Sequence, residues 1–201
     1  MVNEKNMNQL RKDLSVMARK CQDIFSRAIL LIHKSEEAEI ARIRELDHGI
    51  DEYEVQIDAL CQEILIKEAY AREFRYVIAA LKTVSDLERI GDQSKTIAKW
   101  TPRLDSAVHV AMDSLVEKTR EALNLAVEAL LENRIDAANR VMELEFQVDA
   151  IEDQIIESTD NIAEAFIAKA LERIGDLATN IAENVIYALK AEDVRHGGWH
   201  A

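Results

Sequence analysis

From Asn8 to about Lys34 apolar residues fall at helical spacing: Leu10, Leu14, Met17, Cys21, Ile24, Phe25, Ala28 and Leu31. The same period returns along the rest of the chain. It predicts a second helix over about Glu36–Lys67, with the stripe Leu46, Ile50, Tyr53, Ile57, Leu60 and Ile64, and a third over about Ala71–Trp100. Thr101 is a good cap and Pro102 is tolerated in a first turn, so the pattern starts a fourth helix there and carries it to about Asn133. A fifth runs from Ile135 to about Glu157, and a sixth from the cap residues Asp160 and Asn161 to Asp193. Tyr70, Arg72 and Arg75 read as the surface of a hairpin tip, and His196 to Ala201 as a fraying tail. Helices of about 30 residues are on the order of 45 Å long, and antiparallel bundles bury their stripes economically.

An internal repeat organises these helices. The hexapeptide LERIGD at 87–92 recurs letter for letter at 171–176, and Ile97-Ala98 recurs in register as Ile181-Ala182. The second helix has its counterpart in the fifth, with Asp47, Asp51 and Glu54 matching Glu145, Asp149 and Glu152. The predicted fold is all-α: two tandem three-helix bundles, residues 1–101 and 102–201, with the seam near Pro102. One irregularity stands out. Asp51 to Glu88 spans 37 positions and Asp149 to Glu172 only 23, so the second repeat lacks 14 residues around its last hairpin. Either that hairpin is about two turns shorter in each helix, or the chain lacks a segment there.

Composition narrows the class. One Pro and five Gly in 201 residues leave too few turns for a β-sandwich or barrel. With 38 acidic and 25 basic residues the net charge is -13, which argues against nucleic-acid binding because phosphate recognition needs a basic face. Cys21 and Cys61 match no zinc or disulfide pattern and read as reduced thiols. The polar stretch Met1 to Leu10 gives no reason to expect a secretory leader, and no apolar run approaches the roughly 20 residues of a bilayer span. A soluble protein without membrane insertion is expected.

The candidate chemistry lies in four acid pairs spaced i, i+4: Asp47/Asp51 and Glu88/Asp92 in the first repeat, Glu145/Asp149 and Glu172/Asp176 in the second. Such pairs share a helix face, and like charges there repel by a few tenths of a kcal/mol unless a cation lies between them. Carboxylates with no Cys and few His nearby suit hard cations such as Mg²⁺, Mn²⁺, Ca²⁺ or ferric iron. The acids Asp47, Asp51, Glu54 and Asp58 fall about 100° from the second helix's apolar stripe, so they are expected to face outward or along a groove. Gly49, Gly91 and Gly175 sit inside helices within these motifs, where each costs roughly 0.5–1 kcal/mol relative to Ala. They mark either notches for close helix packing or room for a ligand. Arg89 and Arg173 are expected to screen the acids. His48 is a further candidate ligand, but Phe146 takes its place in the second repeat. A second Glu-x-x-His is missing, which excludes a ferritin-like di-iron oxidase, and no phosphate-binding Gly loop, nucleophile elbow or Cys/His dyad is present.

At the paired LERIGD motifs with their following Ile-Ala, and at Asp47-x-x-Ile-Asp51 and Glu145-x-x-Val-Asp149, the chain resembles the phosphate-uptake regulator (PhoU) family over nearly its whole length. The resemblance implies a cytoplasmic regulator, not an enzyme, that helps repress the phosphate-starvation response when phosphate is plentiful. Its implied partners are the ATPase subunit of a phosphate ABC transporter, a sensor histidine kinase and a second copy of itself. The implied cofactor is a multinuclear cluster of iron, manganese, magnesium or zinc on the eight motif acids, with Glu54 and Glu152 as auxiliaries. The family's usual His after Gly-Asp is replaced by Gln93 and Leu177. Two other readings of the residues remain open: a structural helical protein whose role is oligomerisation, and a metal-dependent hydrolase of phosphate compounds, which lacks a matching general acid or Arg clamp.

Overall fold

The computed structural model describes residues 2–66, 71–105 and 108–192, so Tyr70, the Arg72 side chain and the tail at 196–201 lie outside the described residues. The described residues form six α-helices: α1 (Val2–Leu30), α2 (Glu37–Ile66), α3 (Ala71–Trp100), α4 (Met112–Glu132), α5 (Ile135–Ser158) and α6 (Ile162–Lys190). Among the described residues there is no strand, and no helix is long and apolar enough to cross a membrane.

Cross-helix contacts fix the topology. Asn6 reaches Glu63 and Arg27 reaches Glu39, so α1 and α2 run antiparallel. Within the core the Cys21 thiol donates to the Leu87 carbonyl, and at the matching place of the second repeat the Thr119 hydroxyl donates to the Leu171 carbonyl. Both bonds land on the first residue of the repeated hexapeptide. The two triplets are therefore built alike, and α3 packs along α6 to join them. Asn184 bonds Asp86 at one level of that contact, and Trp100 stacks on Phe166 at another, with centroids 4.2 Å apart. A continuous cluster of buried Leu, Ile, Val, Met and Ala side chains runs through both triplets.

The fourth helix does not start at Thr101. The Thr101 hydroxyl turns back to the Ala98 carbonyl, and Thr101–Arg103 form one 3-10 turn closing α3. Leu104 is extended, and α4 begins only at Met112, whose preceding Ala111 provides no side-chain cap. Pro102 thus ends one helix instead of opening the next. The link is tied to the second hairpin: His109 N–H donates to Glu164 at 2.8 Å, and Asn161 bonds Asp105 at 2.7 Å. Asn161 also caps α6, as expected, accepting from the N–H groups of Ala163 and Glu164.

The shortened hairpin is resolved in the same region. Relative to α2 and α3, α5 stops early and α6 starts late, by about two turns each, and only Thr159–Asn161 join them.

Candidate metal centre

Helix α2 buries Ile43, Asp47, Ile50, Ile57, Cys61 and Ile64, whereas Leu46, Tyr53 and Leu60 are only partly buried. The buried stripe is thus rotated from the one expected, and Asp47 lies inside it, 5% exposed, instead of facing outward. Glu152 on α5 is equally buried. The remaining motif acids, Asp51, Glu88, Asp92, Glu145, Asp149, Glu172 and Asp176, are half-buried along the α2–α3 and α5–α6 grooves.

Two glycines allow these helix pairs to approach. A Cβ on Gly91 would stand 2.9 Å from Asp47 Oδ1 and 3.2 Å from Ile50 Cδ1; one on Gly175 would stand 3.0 Å from Val148 Cγ1. Both are packing notches on the opposite helix. Gly49 instead lies under the Lys20 ammonium, which also sits 5.7 Å over the Tyr53 ring.

In the first repeat the acids gather. Burial raises the Glu88 pKa, followed by the charges of Asp92, Glu54, Asp51 and Asp47. Burial also raises that of Glu54, with Asp58, Asp51 and Asp92 adding to it. A cation is already present: Lys95 Nζ pairs with Asp47 Oδ2 and, at 2.7 Å, with Asp92 Oδ1. Burial works against the Lys95 ammonium, yet its hydrogen bonds to Asp47 and Asp92 prevail and hold it charged. Burial pushes Asp47 the other way, towards protonation, and Lys95 opposes this.

The second repeat is arranged differently. Asp149, Glu172 and Asp176 bring one carboxylate oxygen each to within 4.8 Å of one another, and among the described residues no other group of three or more His, Cys, Asp or Glu does so. Burial, then Glu172, Asp149 and Glu145, push the Asp176 carboxyl up to about 6. Burial and Glu172 raise Asp149 as well. Glu145 stands beside the group, its pKa raised by burial and by Asp149 and Glu183. Lys169 bonds Glu172 Oε1 at 3.0 Å and lies 3.7 Å from Glu152, but Glu172 Oε2 is buried without a hydrogen-bond partner. An orphaned buried carboxylate oxygen beside two further repelling carboxylates fits a hard, oxygen-seeking cation. In that case Asp149, Glu172 and Asp176 would hold it and Glu152 would flank it.

His48 stands at the solvent edge of the first cluster, and both arginines are exposed. His48 is exposed, 3.8 Å from Asp51. Arg89 is exposed and its charge acts on Asp86 at the α3–α6 contact, while Arg173 is also exposed. The screening expected of them falls to Lys95 and Lys169. Both lysines lie outside the repeated motif letters, although Lys95 stands one turn beyond Asp92, the signal in the sequence that could have found it.

Fold and site together define a duplicated all-α protein with paired carboxylates on the second and third helix of each repeat. The PhoU domain model matches residues 14–101 and 112–185, its two segments breaking at the extended link, and the chain belongs to the PhoU family. It is 30% identical over 212 residues to the phosphate-specific transport system accessory protein PhoU of Serratia marcescens, spanning 97% of this chain and 87% of that protein. Identity to the protein of that name from Escherichia coli (strain K12) is 29% over 209 residues, 96% of this chain and 87% of the other. The crystal structure of PhoU from Pseudomonas aeruginosa superposes with a TM-score of 0.86 at 25% identity, covering 94% of this chain and 99% of that one. PhoU from Streptococcus pneumoniae shares the fold, with a TM-score of 0.84 at 20% identity over 96% and 99% of the two chains.

Proposed function

We propose that this chain is a cytoplasmic accessory regulator of phosphate-specific transport that damps the phosphate-starvation response as a metal-binding adaptor. Its partners in this reading are the ATPase subunit of a phosphate ABC transporter, a sensor histidine kinase and a second copy of the chain. The relatives' shared name supports the transport role. The observation that carries the metal role is the convergence of Asp149, Glu172 and Asp176 with the Glu172 oxygen left unpartnered. A cation held there supplies positive charge to an otherwise repelling acidic groove. The chain's own contribution is to fix those carboxylates on two rigid helices, so that charge and shape along α5 and α6 change together for a partner to read.

Pull-down with the ATPase subunit and with the kinase, at high and low phosphate and with or without chelator, tests this. Capture that depends on phosphate and falls on chelation is expected; indifference to both sinks the adaptor reading. Calorimetric titration with Mn²⁺, Mg²⁺ and Fe³⁺ separates it from a purely structural oligomerisation role, for which no saturable binding is expected.

A further inference from the structure

The two acid clusters differ at one repeat-equivalent position. Counting from the shared hexapeptide, Lys95 in α3 corresponds to Thr179 in α6. Lys95 reaches across to Asp47 of α2 while also binding Asp92, one turn back on its own helix. The Asp47 side chain is only 6% exposed, so this carboxylate meets its counter-charge inside the protein. Thr179 is buried too, yet its hydroxyl has no hydrogen-bond partner. In the second cluster Lys169 approaches from the opposite end of the motif and pairs with Glu172 and Glu152, leaving Asp149 and Asp176 without an ion pair among the described residues.

We infer that the Lys95 ammonium is a tethered counter-cation that takes the place of a metal ion in the first cluster, leaving metal binding to the second cluster alone. The inference rests on the metal-binding reading above for the second half of that statement. The physical reason is competition for the same oxygens. A divalent ion between Asp47 and Asp92 must either displace the ammonium or lie beside it, against like charge. Displacement loses two charge-assisted hydrogen bonds formed within a preorganised fold. The acids of the first repeat are then structural partners of a lysine, and they do not fit the family's metal there.

Mn²⁺ titration of the full chain, followed by the electron paramagnetic resonance of free Mn²⁺, tests this without recourse to activity. In a chain whose second cluster is disabled by Asp149→Asn and Asp176→Asn, no saturable uptake is expected. Adding Lys95→Thr, which installs the second repeat's residue, is expected to create one Mn²⁺ site that disappears again on Asp47→Asn. Saturable uptake by the disabled chain with Lys95 in place, lost on Asp47→Asn, overturns the inference; so does a folded Lys95→Thr variant that gains no site. Should Lys95→Thr fail to fold, the disabled chain alone decides, and Thr179→Lys in the unmodified chain is the converse test, expected to abolish uptake. Absence of Mn²⁺ uptake by the unmodified chain overturns the metal-binding reading and with it the claim for the second cluster; the gain on Lys95→Thr still reports separately on Lys95.

Discussion

In the first repeat the helix that carries LERIGD places an ammonium over its carboxylates; in the second the same helix position places a hydroxyl, and the carboxylates face one another. Other positions around the motif diverge as well. Asp86 corresponds to Ala170 and Ser85 to Lys169. The backbone contacts between helices are nevertheless kept, as the paired Cys21–Leu87 and Thr119–Leu171 bonds show. Duplication has preserved the way the helices pack while letting the charge at each cluster drift. Identical motif letters therefore do not give identical sites: the electrostatics are set by the residues a turn either side.

The comparison is broken most severely at Lys95. Lys95→Thr leaves Asp47 buried beside Asp51 and Asp92 without its counter-charge. Removing one partner of a buried pair costs roughly 3–5 kcal/mol. Because the Lys95 side chain is itself 34% exposed, solvent lowers the expected loss to about 2–3 kcal/mol. Urea denaturation at neutral pH in chelator measures it. A loss below about 0.5 kcal/mol, the size of a surface substitution, removes the distinction between the two repeats.

A smaller effect separates Asp86 from Ala170. Asp86 is 7% exposed at the α3–α6 contact. Burial, opposed by Arg89, a hydrogen bond to Asn180 and Lys82 and assisted by Glu183, raises its pKa from 3.8 to about 6. A carboxyl with a raised folded-state pKa holds its proton in the folded chain after the unfolded chain has lost it. Its contribution to stability is therefore greatest near pH 4 and is lost as the pH rises through 6. Asp86→Asn keeps the hydrogen-bonding side chain and removes the titration. It is expected to be more stable than the parent by on the order of 2 kcal/mol at pH 7, with the difference vanishing near pH 4. Melting curves of both proteins across that range check the sign; a difference independent of pH assigns the effect to packing.

The sequence made the helices legible because the apolar period marks all six and bounds α2, α3, α5 and α6 to within about three residues; α1 instead runs Val2–Leu30, starting six residues before Asn8 and ending four before Lys34. The α2 stripe was misplaced for a definite reason. Asp47 belongs to the buried face, and a stripe traced through apolar letters alone shifts to Leu46, Tyr53 and Leu60. The start of α4 was misplaced because Thr101-Pro102 carries the letters of a helix start while the preceding helix uses the Thr hydroxyl for its own last turn. The four acid pairs were legible as a duplicated pattern, and the fold does bring each helix's pair towards its partner's. Their inequality was written only at Lys95 and Thr179, positions outside the motif, and becomes visible once the repeats are aligned and the side chains have depth.

The mildest test of the comparison is at Lys169, the lysine of the second cluster. Its side chain is 47% exposed against 34% for Lys95, and it meets its more deeply buried partner, Glu152, only at 3.7 Å. A half-exposed lysine on buried acids lies between a surface pair and a buried one, so Lys169→Ser, the first repeat's residue, is expected to lower stability by about 1–2 kcal/mol, less than Lys95→Thr. It also withdraws the ammonium that pairs with Glu172 and so competes with a cation for it. Mn²⁺ affinity at the second cluster is therefore expected to rise, and the melting temperature gained on adding Mn²⁺ to rise with it. Opposite signs for apo stability and metal stabilisation would mark Lys169 as a charge that competes with the metal. A loss as large as that of Lys95→Thr, with no gain in Mn²⁺ affinity, would make the two lysines equivalent and the two clusters alike.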